Sequence, residues 1–183
     1  GDELLFERLV AFKEELKNVK AFIFDVDGVL SLDTTPLNES GDPMRTANVK
    51  DGFAIRSAIS FGFPVAVITG GNVERVKLRH EKLGVVHYYD GVRDKVACLN
   101  DFVQKTGIQP ENILFMGDDL VDYNIMKAVG VPVCPKDAVP EIKLISKYIS
   151  HKNGGEGCVR DVIEQTLRAQ NRWFTGEMIK DTF

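Results

Sequence analysis

Three short apolar runs constrain this chain most, because each is continuous rather than alternating and each stops at a polar turn. Ala21-Phe22-Ile23-Phe24 ends in Asp25, residues 64–68 lead into Thr69-Gly70-Gly71, and residues 112–116 lead into Gly117-Asp118-Asp119. A strand that is apolar at every position is buried on both faces, which is the habit of a parallel sheet covered by helices. Between and around the runs the pattern turns helical. Leu5, Leu9, Phe12 and Leu16 recur at helical spacing over residues 2–17, and further helices are expected over 52–61, 72–83, 94–106, 120–129 and 158–170. Asn72 is the expected N-cap of the helix it opens, while Gly84 and Gly107 read as helix stops. Weaker strands are expected at 85–89, 131–134 and 148–149. Alternation of this kind predicts an α/β fold, a doubly wound Rossmann-like parallel sheet with helices on both faces.

One segment breaks the alternation. Residues 31–48 contain Pro36, Asn38, Gly41, Asp42 and Pro43, all turn formers, and read as an irregular excursion or hairpin beside the end of the first strand. The segment is too short for a second domain, so residues 1–183 are expected to form one domain, a length at which a single core is usual.

Composition narrows the function classes. A formal net charge of -4 without a Lys/Arg stripe offers little to a nucleic-acid backbone, so no nucleic-acid partner is expected. Cys98, Cys134 and Cys158 are an odd, dispersed set with no CxxC pair, which argues against a disulfide framework and against a zinc site. No apolar run approaches the roughly 18 residues of a membrane span, and the first residues lack a signal-peptide pattern. The expectation is a cytoplasmic protein with no membrane partner.

In open parallel sheets ligands bind outside the carboxyl ends of the strands. Those ends carry Asp25, Asp27, Thr69, Gly70, Gly71, Asp118, Asp119 and Asp122. Crowded carboxylates repel one another, so their placement at one edge points to a bound cation, and hard oxygen ligands favour Mg2+ held together with a substrate phosphate. Taken singly, Asp-x-Asp-Gly and Gly-Asp-Asp are common turns and Lys95 a common helix lysine. Their occurrence together and in order is far more specific.

That order resembles the haloacid dehalogenase superfamily of phosphatases, with Asp25-Val26-Asp27-Gly28-Val29 as the first motif, Ile68-Thr69-Gly70 as the second, Lys95 as the third and Gly117-Asp118-Asp119 with Asp122 as the fourth. The resemblance implies catalytic roles for Asp25 as nucleophile, Asp27 as general acid and base, Thr69 as a phosphoryl hydrogen-bond donor and Lys95 as a charge neutraliser. It implies metal binding by Asp25, the Asp27 carbonyl and Asp118, with Asp122 and, less directly, Asp119 supporting them. Gly28, Gly70 and Gly71 would let backbone amides approach the phosphate.

A narrower resemblance runs along nearly the whole chain. The segments from Asp25 to Leu30, Val49 to Arg56, Tyr89 to Lys95, Gly117 to Asp122 and Gly154 to Arg160 are similar to the 3-deoxy-D-manno-octulosonate 8-phosphate phosphatases. The resemblance implies a capless core with a short projecting hairpin at 31–48, a homotetramer, and a small phosphorylated sugar acid as substrate in lipopolysaccharide precursor synthesis. A nine-carbon analogue, 2-keto-3-deoxynononate 9-phosphate, and a non-catalytic oligomerisation module are the competing readings, the latter disfavoured by the intact chemical residues. Many members carry Arg where this chain has Gly71 and Arg or Lys where it has Glu156. The cation for an acidic sugar's carboxylate is therefore expected elsewhere, at Arg56 or Arg75.

Overall fold

The computed structural model describes residues 1–174. The chain folds into a parallel six-stranded sheet of order β3-β2-β1-β4-β5-β6, built from β1 (Ala21–Asp25), β2 (Val65–Ile68), β3 (His87–Tyr89), β4 (Ile113–Met116), β5 (Val131–Cys134) and β6 (Tyr148–Ile149). The helices are α1 (Asp2–Leu16), α2 (Val49–Ser60), α3 (Glu74–Lys82), α4 (Lys95–Thr106), α5 (Tyr123–Ala128), α6 (Pro140–Ile145) and α7 (Cys158–Ala169). Successive side chains of a strand point to opposite faces, and here both faces are apolar. Phe22 and Phe24 of β1 join Val65, Val67, Leu114 and Met116 in a core closed by α1, α2 and α7. Ala21 and Ile23, with Ala66, Ile68, Ile113 and Phe115, face α4, α5 and α6 instead. The expected doubly wound fold is therefore present, and β1 and β4 form its switch point, where strand order reverses and a crevice opens at the carboxyl ends.

The excursion after β1 is a hairpin. Leu37 bridges Pro43 in antiparallel fashion, Met44 donates its amide to the Pro36 carbonyl at 2.9 Å, and the Asn38 side chain accepts the amides of Ser40 and Asp42, both at 2.9 Å. Nothing of cap-domain size interrupts the described residues. No described helix is long and apolar enough to cross a membrane.

Several expectations are corrected. The helix expected from Asn72 begins at Glu74, and no side chain caps it, because Gly71 is tied by its carbonyl to the Gly91 amide at 2.9 Å and the chain stays extended through Val73. The helix expected over 120–129 divides into a 3-10 turn, Leu120–Asp122, and α5, because Asp122 folds back onto the amides before it. Helix α6, opened by Pro140 at its first turn, adds an element to those expected. In α1 only Phe12 and Leu16 are buried, while Leu5 is 65% exposed and Leu9 40%.

Candidate active site

Asp25 is the last residue of β1 and lies at the switch point, only 6% exposed, with one carboxylate oxygen accepting the Val26 amide at 2.8 Å. The chain then turns sharply. Gly28 has φ +80 and donates to the Ser31 carbonyl at 2.9 Å; a Cβ here would run into the Asp118 carboxylate, so only glycine lets these two motifs approach. On the other side of β1, Thr69 follows β2 and is held by its own amide to Tyr89 (2.9 Å) and by its carbonyl to Val92 (3.1 Å). Its hydroxyl oxygen accepts the Gly71 amide at 3.1 Å, which leaves the hydroxyl hydrogen to donate.

Lys95 is the first residue of α4, whose N-cap Asp94 accepts the Ala97 amide at 3.1 Å. Its buried ammonium lies 2.6 Å from Asp122 and 3.3 Å from Asp25. The second oxygen of Asp122 accepts the amides of Asp118 (3.0 Å) and Asp119 (3.4 Å). Asp122 is thus occupied on both oxygens and orients its neighbours, while Asp119 turns its carboxylate to the Leu120 amide at 2.7 Å.

One oxygen each of Asp25, Asp118 and Asp122 lies within 4.8 Å of the others. Burial, reinforced by Asp122 and only partly opposed by Lys95, holds the Asp25 carboxyl well above the usual carboxylate range. Asp118 is pushed up to about 7, first by burial and then by Asp122 and Asp119. Burial would lower the Lys95 ammonium, but Asp25 and Asp122 outweigh it and the group is raised, hence fully charged. Carboxylates that resist ionising side by side fit a hard divalent cation, whose charge removes the conflict.

Asp27 stands apart from these three. Its carboxylate, half exposed, is gripped by Arg45 of the hairpin, Nε to one oxygen at 3.0 Å and Nη2 to the other at 3.2 Å. Asp25, Asp27, Gly70, Gly71, Lys95 and Asp118 all line one open cleft of about 630 Å3. Arg56 is not among the lining residues and donates to the Lys82 carbonyl at 2.9 Å. Arg75 lines an adjoining groove that shares Pro43, Met44 and Gly71 with the cleft. Sequence reasoning missed two cations: Arg45 and Arg93, the latter in the cleft wall. The only available signal for Arg45 was its place on the excursion beside Asp25.

A buried Asp at a parallel-sheet switch point, a buried lysine on it and an acidic loop after β4 define a haloacid dehalogenase-like hydrolase, and residues 89–163 match that family. The 3-deoxy-D-manno-octulosonate 8-phosphate phosphatases of Salmonella typhi and Escherichia coli K12 are 38% and 37% identical to this chain, over 85% of it and 83% of each of them. A solved structure of the Yersinia pestis enzyme superposes with a TM-score of 0.84 at 34% identity, covering 88% of this chain and 87% of that one. The Moraxella catarrhalis enzyme, solved with magnesium, phosphate and the sugar acid, gives 0.84 at 32% identity, covering 89% and 94%. The chain belongs to the 3-deoxy-D-manno-octulosonate 8-phosphate phosphatase family.

Proposed function

We propose that this protein is a single-domain, magnesium-dependent phosphatase that hydrolyses 3-deoxy-D-manno-octulosonate 8-phosphate to the free sugar acid and phosphate, serving lipopolysaccharide precursor synthesis in the cytoplasm. The observation that carries the reading is the Asp25 carboxylate, buried at the cleft floor with the Lys95 ammonium 3.3 Å away and Asp118 beside it. An oxygen of Asp25 attacks phosphorus, and the bond from phosphorus to the sugar oxygen breaks as Asp27 gives that oxygen its proton. The product of this step is an aspartyl phosphate on Asp25. Asp27, now a carboxylate, takes a proton from water; the water oxygen attacks phosphorus, and Asp25 is released with phosphate. The Thr69 hydroxyl and the Gly70 amide hold phosphoryl oxygens, while Lys95 balances their charge. Among the three glycines, Gly70 has the amide not already committed, since those of Gly28 and Gly71 are bonded to Ser31 and Thr69. A magnesium ion on Asp25, Asp118 and the Asp27 carbonyl would offset the repulsion between nucleophile and phosphate. Asp122 and Asp119 keep that loop in shape.

The substrate carboxylate is assigned to Arg75 in preference to Arg56, because Arg75 borders the cleft through the adjoining groove. Neither nucleic acid nor a membrane is a partner in this reading. A homotetramer would shield a cleft that no cap domain covers; light scattering should give four times the subunit mass, and a fully active monomer would remove the idea. The test of function is turnover by the purified protein, with magnesium, of a panel of sugar phosphates. The highest kcat/KM is expected on 3-deoxy-D-manno-octulosonate 8-phosphate. A preference for the nine-carbon acid would move the assignment to that substrate, and no turnover of any member would leave a non-catalytic module.

A further inference from the structure

Arg45 projects from the hairpin, yet its side chain is only 17% exposed, whereas the Asp27 carboxylate it grips is 51% exposed. Three of its atoms are bonded: Nε and Nη2 to the two oxygens of Asp27, and Nη1 to the Pro43 carbonyl at 2.9 Å. No other described side chain bonds the Asp27 carboxylate. The backbone on either side of Arg45 is also pinned. Met44 donates to the Pro36 carbonyl at 2.9 Å, the Thr46 amide donates to the Ser31 hydroxyl at 2.9 Å, and the Thr46 hydroxyl accepts the Leu32 amide at 3.0 Å. A planar fork on a fixed stem holds both oxygens of a carboxylate and so fixes its rotation, which a point charge does not do.

Room for this guanidinium comes from an absent side chain. A Cβ placed at Gly71 would lie 2.9 Å from Arg45 Nη2 and 3.7 Å from its Cζ, so any other residue there displaces the fork from where it now sits. The end of an arginine moves easily, so the displacement costs the fold little and costs the Asp27 alignment directly.

We propose that Arg45 is a positioning residue for Asp27, and that Gly71 is the opening that admits it. Arg45 holds the Asp27 carboxyl toward the leaving oxygen, so that the proton arrives as the phosphorus-oxygen bond breaks. This rests on the assignment of Asp27 as the acid and base, and not on which phosphate ester is hydrolysed.

The experiment compares kcat and KM for Arg45→Ala, Arg45→Lys, Gly71→Ala and the Arg45→Ala/Gly71→Ala double variant on p-nitrophenyl phosphate and on a sugar phosphate, with thermal unfolding as the folding control. A misplaced proton donor matters most for the poor leaving group. The expected result is a fall of about 10- to 100-fold in kcat on the sugar phosphate for Arg45→Ala, with little change in KM and a clearly smaller loss on the aryl ester. Arg45→Lys should recover part of the loss. Gly71→Ala should reproduce the leaving-group pattern, and the double variant should be no worse than Arg45→Ala alone. Equal losses on both esters, an effect confined to KM, or losses that add in the double variant would each overturn the proposal. If the wild type prefers a sugar phosphate other than the octulosonate, the substrate reading fails and the leaving-group comparison still decides the role of Arg45.

Discussion

At the scale of the residue, the two aspartates of the first motif stand in opposite environments. Asp25 is buried against Asp122 and Lys95, while Asp27 faces the cleft and Arg45. Replacing Asp25 by Asn keeps the shape and removes the proposed nucleophile, so metal-dependent turnover should fall to background while the thermal midpoint is kept. Replacing Asp27 by Asn should cost far more on a sugar phosphate than on p-nitrophenyl phosphate, whose leaving group needs little proton help; equal damage to both would remove Asp27 as the acid. Asp51 carries a different consequence. It is 2% exposed; one oxygen accepts the Arg160 amide at 2.8 Å, and the other is buried with no partner among the described residues. Burial, partly opposed by Arg160, moves its carboxyl from 3.8 to about 6. The folded state then holds the proton more tightly than the unfolded one. Stability from this group is full below the unfolded value, is lost as pH rises from about 4 to about 6, and is level above. Asp51→Asn should therefore gain about 1–3 kcal/mol over wild type above pH 6, with the difference closing toward pH 4, as urea unfolding would measure.

At the scale of the element, α7 ends in a segment that packs on its own subunit. The Arg160 guanidinium lies 4.7 Å from the centre of the Trp173 ring and that of Arg168 5.9 Å, and Phe53 of α2 meets the same ring edge-on at 6.1 Å. These contacts place the Trp173 ring on its own subunit. Trp173→Ala should thus lower the unfolding free energy by about 1–3 kcal/mol at any protein concentration. A loss that appears only on dilution would place the ring at a subunit contact instead. Apolar periodicity marked α2, α4 and α7 because their buried faces repeat within one helix, whereas of the repeating set in α1 only Phe12 and Leu16 reach the core. It failed at α5 and at the start of α3, where single side-chain and backbone bonds at the active edge override helical spacing.

At the scale of the whole molecule, the sheet gathers charge at one edge, and stability should respond to a cation held there. Without it, Asp118 at about 7 and the raised Asp25 make the fold less stable as pH climbs, because both must ionise against burial and each other. With magnesium on these carboxylates, as proposed, protons would compete for the same oxygens, so the magnesium-induced rise in Tm should be small near pH 5.5, grow to about pH 7–8 and then level. Saturation at about 100 times Kd corresponds to roughly 2.7 kcal/mol. Scans with magnesium and with a chelator across that pH range check this; a rise independent of pH would mean the ion binds elsewhere.

What the sequence determined by itself was the sheet and the edge at which the candidate site residues gather. Both follow from local pattern: continuous apolar runs must be covered on both faces, and the polar residue that ends each run, Asp25, Thr69 and Asp118, then lies at the carboxyl ends. Tertiary structure alone decided which charges meet. Lys95 joins Asp122 from another element, and Arg45 reaches Asp27 across the hairpin and through the space left by Gly71. Arg56 is turned to Lys82 instead, away from the cleft lining. Periodicity specifies the face on which a side chain stands. Its partner depends on how the intervening chain closes, which a hairpin's own hydrogen bonds and a missing Cβ settle only once the fold has formed.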